Sequence, residues 1–138
     1  MDNNCIFCKI VRGEIPSAKI YEDDKTLAFL DIVPVNIGHA LVIPKEHFKD
    51  IHEVPEDLVG HMMKIVKKVS SALRTSLPCD GVNVNMNNEG AAGQVVFHAH
   101  IHVIPRHAGD GFELWHGKRK YQENEMQKVS RKVSLAIA

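Results

Sequence analysis

The stretch His98-Ala99-His100-Ile101-His102-Val103-Ile104 alternates between histidine and apolar residues over its first six positions. Side chains along a β-strand point to opposite faces with a period of two. The alternation therefore predicts a strand on which His98, His100 and His102 share one face, neighbours about 7 Å apart. Phe97, Ala99, Ile101 and Val103 fall on the other face and suit a core. The strand is expected to run from about Val95 to Ile104 and to stop at Pro105. A solvated strand face is filled more naturally by Thr, Lys or Glu than by three histidines, so the row points to chemistry. Two chemistries fit. H-x-H on a strand is a good spacing for metal ligands. A neutral imidazole, with a reference pKa of about 6.5, is also a competent nucleophile near neutral pH.

Working outward, a Gly-rich loop from Asn87 to Gly93 precedes the histidines, and before it Val82 and Val84 alternate with Asn83 and Asn85 as in a half-buried strand. Upstream, Leu58, Met62, Ile65, Val66, Val69 and Leu73 recur every three or four residues after Pro55, which predicts an amphipathic helix. Two strands are expected near Ala18-Tyr21 and Thr26-Asp31, joined by the polar turn Glu22-Asp23-Asp24-Lys25. A third lies at His39-Ile43, closed by Pro44. Cys5 to Pro16 reads as a short helical turn and a loop, and Ala108 to Gly117 as irregular. A final helix is expected from about Arg119 to Ile137, with Met126, Val129, Val133 and Ile137 on one face. Short turns between the early strands favour antiparallel pairing, so the expectation is an α+β domain with helices packed on an antiparallel sheet.

The 138 residues and 44% hydrophobic content suit one globular domain spanning 1–138. Lys plus Arg equals Asp plus Glu, 17 each. That balance argues against a dedicated nucleic-acid or membrane-surface binder, while a small anionic ligand needs only a local site. No apolar run approaches the roughly 18 residues of a membrane span, and the start has no basic and apolar leader. The three cysteines, Cys5, Cys8 and Cys79, do not make a secreted disulfide framework. A cytoplasmic protein is expected.

His-φ-His-φ-His-φ-φ, with φ apolar, resembles the signature of the histidine triad (HIT) family, and Ala99, Ile101, Val103 and Ile104 fill its apolar slots. The resemblance extends to Cys5-Ile6-Phe7-Cys8-Lys9-Ile10 with Gly13-Glu14-Ile15-Pro16, to Phe29-Leu30-Asp31-Ile32 with Pro34, and to Gly38-His39-Ala40-Leu41-Val42-Ile43-Pro44-Lys45-Glu46-His47. It continues through Asn88-Glu89-Gly90 and Gly93-Gln94. The chain looks most similar to the prokaryotic-type HIT hydrolases, in which Pro105-Arg106 and Gly109-Asp110-Gly111-Phe112 commonly follow the triad.

The resemblance implies a homodimer of HIT-like fold, with a sheet of about five strands and two main helices. It implies a nucleotide hydrolase or transferase acting on a purine nucleoside phosphoramidate or a dinucleoside polyphosphate and leaving an AMP- or GMP-type product. The catalytic group would be His98, His100 and His102 with the upstream His39. His100 attacks the α-phosphate to form a nucleotidyl-histidine that water opens, two easier steps in place of one hard one. His102 donates to a phosphate oxygen, and His39 orients or protonates the site. Asp31 would accept from the ribose hydroxyls. Ile6, Phe7, Ile10, Phe29, Ile32 and Leu41, which composition alone assigns to a core, would form the base pocket. Asn88, Gly93 and Gln94 would supply donors to the phosphate. One position departs: Val95 stands where many members carry Ser or Thr, so slower turnover of amine leaving groups is expected.

Cys5 and Cys8 have metal-ligand spacing, but one C-x-x-C is half a site, open also to free thiols or a redox pair. The resemblance implies a structural zinc completed by His47 and His98, with no catalytic metal required. It also implies that the region of Trp115 reaches toward the partner's active site in a dimer. His52, His61, His107 and His116 carry no motif and read as surface residues. Two competitors stand beside the hydrolase: a non-catalytic nucleotide-binding module, and a zinc-dependent hydrolase that uses the triad itself as ligands.

Overall fold

In the computed structural model, which describes residues 2–137, the first hairpin is built on Asp23. Its Oδ1 accepts from the amides of Lys25 and Thr26 and from the Thr26 hydroxyl, an Asx arrangement that turns the chain locally. This joins β1 (Lys19–Glu22) to β2 (Thr26–Leu30). His61, which carries no motif, ties the same carboxylate to the long helix through a 2.8 Å contact. With β3 (Ala40–Pro44), β4 (Gly81–Asn85) and β5 (Ile101–Arg106), the strands form one antiparallel sheet in the order β1-β2-β3-β5-β4. Three α-helices accompany it: α1 (Ile6–Val11), α2 (Glu56–Ser76) and α3 (Glu125–Ala136). The expected α+β architecture with five strands is present.

Strands β2 and β3 are buried on both faces, and period-two alternation divides their side chains between two layers. Ala28, Ala40 and Val42 join Ala99, Ile101 and Val103 beneath α2, which buries Met62, Ile65, Val66, Val69 and Leu73. At about 1.5–3 kcal/mol per buried large apolar side chain, that stripe contributes on the order of 10 kcal/mol as an upper estimate. Leu27, Phe29, Leu41 and Ile43 face the opposite way, against Phe7 and Ile10 of α1. The register sets Leu41 opposite His102, so the histidine face of β5 looks into this second, α1-covered layer.

Three expectations are corrected. The strand predicted over Val95–Ile104 begins only at Ile101, and it runs through Pro105 to Arg106. Antiparallel pairing with β3 stops at Val42↔Ile101 because the next ladder positions reach Pro44, which has no N–H and whose carbonyl accepts from His98 instead. Ala99 N–H finds the Phe48 carbonyl at 2.7 Å. Pro105 is tolerated because β5 has by then passed the end of its pairing with β3 and pairs with β4 alone. Second, Phe97 is not in the core with Ala99, Ile101 and Val103; it is 44% exposed, with the Lys49 ammonium over its ring. Third, the last helix starts at Glu125 rather than near Arg119, after a left-handed Asn124, and Met126, Val129, Val133 and Ile137 are all exposed.

Candidate active site and metal centre

The histidine segment hangs between β3 and the start of β5, and each ring has its own hydrogen-bond partner. A carbonyl only accepts, so each imidazole nitrogen facing one carries a proton. His98 Nε2 donates to the Pro44 carbonyl at 2.8 Å, which leaves Nδ1 with its lone pair. His100 Nδ1 donates to the His98 carbonyl at 2.6 Å, which leaves Nε2 as the free nucleophilic nitrogen. The Phe7 ring meets His100 edge-on, centroids 5.2 Å apart. Burial, the largest effect, holds His100 below its ordinary pKa, so it is neutral at pH 7.

His102 is set from behind. The Val35 amide donates to His39 Nδ1 at 3.0 Å, so the proton of the neutral His39 ring sits on Nε2. That nitrogen lies 2.9 Å from His102 Nδ1 and donates to it. The proton of His102 is thereby assigned to Nε2. Burial, reinforced by His100 and His39, pushes His102 down to about 4, and burial also lowers His39. Asp31 approaches this pair, with Oδ2 at 3.7 Å from His39 Nε2, and its Oδ1 accepts from the Val33 amide. Asp31, His39 and His102 stand close enough to suggest a metal site. A cation there would need the His39 Nε2 lone pair, and moving that proton to Nδ1 would set it against the Val35 N–H. The arrangement is a hydrogen-bond chain. Among the described residues the ligand atoms of His98, His100 and His102 do not gather as one group, which disfavours the triad as a catalytic metal site.

An open cavity of about 910 Å³ lies on the α1-covered face. Ile6, Phe7, Ile10, Phe29, Asp31, Ile32, Leu41, Gly93, Val95, His100 and His102 all line it. Of the four expected catalytic histidines, His100 and His102 face the cavity, while His98 and His39 are buried behind them. Two expected phosphate donors are corrected. Gln94 is buried: its Nε2 donates to the Lys49 and Val96 carbonyls and its Oε1 accepts from Glu89 N–H, which spends both of its donors on backbone. Asn88 Oδ1 accepts from the Ile51 amide, and neither residue lines the cavity. Asn87 does line it, held only by 3.5 Å contacts to Asn85 and the Gly93 carbonyl. Its place in the same Gly-rich loop was the only signal for it. Among the described residues no lysine or arginine lines the cavity, and the one acid that does is Asp31.

Behind His98 a second constellation closes. Cys5 Sγ and Cys8 Sγ stand 3.4 and 3.6 Å from His98 Nδ1, Cys8 Sγ stands 3.4 Å from His47 Nδ1, and the two imidazole nitrogens are 3.3 Å apart. Zinc at ordinary bond lengths sets tetrahedral edges of about 3.3 Å between nitrogens and about 3.6 Å between nitrogen and sulfur. The Cys5–His98, Cys8–His98, Cys8–His47 and His47–His98 pairs stand close to those separations, all four donor atoms lie within 4.8 Å of one another, and the His98–Pro44 bond presents the required lone pair. The donor set fits a closed, structural zinc site.

Residues 12–109 match the HIT domain family. The crystal structure of a HIT family member from Bacillus subtilis shares 42% identity and superposes with a TM-score of 0.92, over 99% of each chain. A zinc-bound histidine triad family protein from Mycobacterium smegmatis shares 36% identity with a TM-score of 0.77, over 96% of this chain and 97% of its own. The adenosine 5'-monophosphoramidase HNT1 of Candida albicans is 44% identical over 107 residues, 75% of this chain and 70% of its own.

Proposed function

The chain belongs to the HIT family, and from that premise we propose that it hydrolyses nucleoside 5'-phosphoramidates by covalent nucleotidyl transfer to His100. The observation that carries this reading is the free Nε2 lone pair of a neutral, buried imidazole opening on the cavity. Attack on the α-phosphorus forms a P–N bond to His100 Nε2 and breaks the bond to the leaving amine, which departs with a proton. The His98 carbonyl accepts from Nδ1–H and stabilises the ring as it becomes cationic. His102, protonated on Nε2, is the donor available to the phosphate oxygens or the leaving group. Water then opens the nucleotidyl-histidine, releasing the nucleoside monophosphate and restoring His100. Asp31 serves the ribose hydroxyls, Asn87 serves the phosphate, and the apolar wall around Phe7 and Phe29 suits a purine. Cys5, Cys8, His47 and His98 would hold a structural zinc, which would cross-link the N-terminal arm to the triad segment.

A cavity without lysine or arginine favours a substrate carrying one phosphate over a polyphosphate, whose further charges would meet no cation. The phosphoramidase activity in the name of the Candida albicans relative agrees. We expect kcat/KM for a fluorogenic adenosine phosphoramidate to exceed that for diadenosine tetraphosphate by on the order of 100-fold, about 2.7 kcal/mol of transition-state stabilisation. Equal values, or the reverse order, would remove this substrate assignment. In the same assay Val95→Ser tests the leaving-group side. Val95 is 84% exposed at the cavity edge and offers no hydrogen bond. A hydroxyl there should raise phosphoramidate turnover by roughly 10-fold, the worth of one hydrogen bond, and unchanged turnover would dismiss the idea.

A homodimer belongs to the same reading. Phe112, Leu114, Trp115 and Tyr121 are exposed, and so is the apolar face of α3. A 12-residue helix is marginal without tertiary packing, so a second copy covering this arm would supply what the chain's own body does not. Sedimentation at micromolar concentration should give twice the 15.4 kDa chain mass; a single monomeric species would rule the dimer out.

A further inference from the structure

The segment after the triad makes a clamp that the reaction scheme above leaves without a role. Arg106 Nε and Nη2 donate to the two carboxylate oxygens of Asp110 at 2.7 and 2.8 Å, and Nη1 donates to Asn83 Oδ1 at 2.7 Å. The Asp110 side chain is only 8% exposed and also accepts from the amides of His107 and Phe112. The Arg106 guanidinium holds its carboxyl well below the usual carboxylate range, so the clamp is charged throughout the working pH range.

One further donor reaches this clamp from across the sheet. Asn36 Nδ2 donates to Asp110 Oδ2 at 3.0 Å and to the Pro105 carbonyl at 2.9 Å. Both amide hydrogens are thus spent on the post-triad segment, although none of Asn36, Arg106 and Asp110 lines the cavity. The backbone of Asn36 serves His39: its carbonyl accepts from His39 N–H at 3.0 Å, and the preceding Val35 amide is the donor to His39 Nδ1. The intervening Gly38 has φ +100, and a Cβ there would come within 2.7 Å of Leu77 Cδ1. The 35–39 turn therefore has one backbone path, tied at Asn36.

We propose that Asn36 is a positioning residue: clamped by Asp110 and the Pro105 carbonyl, it holds the Val35 amide on His39 and so keeps the proton of His102 on the nitrogen available to substrate. The pairing rules leave little freedom. A fixed N–H at His39 Nδ1 forces the proton to His39 Nε2, and that proton forces His102 into the Nε2–H form. If the Val35 amide drifts away, both rings can exchange tautomers and His102 loses its donor for part of the time. The proposal rests on the reading of His102 as the donor to the reacting phosphate, and it needs no new chemical step.

The test is nitrogen NMR of the histidine rings, with kinetics on adenosine phosphoramidate, in the wild-type protein as purified and in Asn36→Ala. In the wild type, His102 should show an unprotonated Nδ1 and a protonated Nε2. In Asn36→Ala these signals should move toward a tautomer average, with kcat down on the order of 10-fold, part of what a positioned proton donor contributes, and KM within roughly two-fold. A residue acting through His39 adds nothing once His39 is gone, so Asn36→Ala in a His39→Ala background should cost no further activity. An unchanged tautomer pattern in the folded variant, or losses that multiply in the double variant, would overturn the proposal. Should Asn36→Ala fail to fold, Asp110→Asn, which keeps the shape and removes the charge, carries the same comparison. The ring spectra decide the matter whatever the substrate proves to be, so failure here is distinguishable from failure of the phosphoramidase reading.

Discussion

His100→Ala lowers phosphoramidate turnover by on the order of 10⁶-fold, comparable to the loss of a covalent nucleophile in other enzymes, while AMP still binds. The size follows from the mechanism: without Nε2 there is no nucleotidyl-enzyme, and the reaction falls back to direct attack by water in the same cavity. Binding persists because the apolar wall, Asp31 and the Gly93 region are untouched. Folding persists because the His100 ring spends its one intramolecular hydrogen bond on the carbonyl two residues back. Single-turnover kinetics and AMP titration on both proteins make the check. Turnover equal to wild type in the variant would remove His100 as nucleophile. Loss of AMP binding along with activity would assign the residue to binding; no turnover by either protein, with AMP still bound, would favour the non-catalytic module.

The second large effect is expected at the Cys5–Cys8–His47–His98 site. The protein purified without added zinc should carry about one zinc per chain, and Cys5→Ser should lose it. At a free zinc level on the order of 1,000 times the dissociation constant, binding contributes about 4 kcal/mol to folding. For a chain of this size that corresponds to a fall in Tm of roughly 10 °C. The consequence should extend to catalysis, because the His98 carbonyl that accepts from His100 belongs to a residue that a zinc bound there would hold in place. Elemental analysis and thermal melts with and without chelator provide the measurement. Zinc near zero, with Cys5→Ser as stable as the parent, would sink the structural-metal reading.

The legibility of this molecule was uneven for physical reasons. The α2 stripe and the β2–β3 strands were readable because amphipathic periodicity is a property of neighbouring residues. The His98–His102 row was readable as a shared face, yet its strand was drawn too long. The ladder ends at Pro44, and nothing near position 100 announces a proline on the neighbouring strand. Ile6, Phe7, Ile10, Phe29, Ile32 and Leu41, apolar residues that composition alone places in a core, line one cavity. Asn88 and Gln94 were assigned to the phosphate because they are amides in a glycine loop, and in the fold they satisfy backbone groups at Ile51, Lys49, Val96 and Glu89 instead.

The amino-acid order by itself determined that His100 and His102 would lie on one face and that a C-x-x-C would precede them. Only the tertiary structure decided which nitrogen of each ring holds its proton. That choice depends on Pro44, His98 and Val35 carbonyl or amide groups brought beside the rings by folding. Only the tertiary structure set four donors, up to 93 positions apart, at tetrahedral spacing, and left the last helix without a partner among the described residues. Periodicity is written in the covalent chain, whereas tautomers, metal geometry and partnership depend on distances between groups far apart along it.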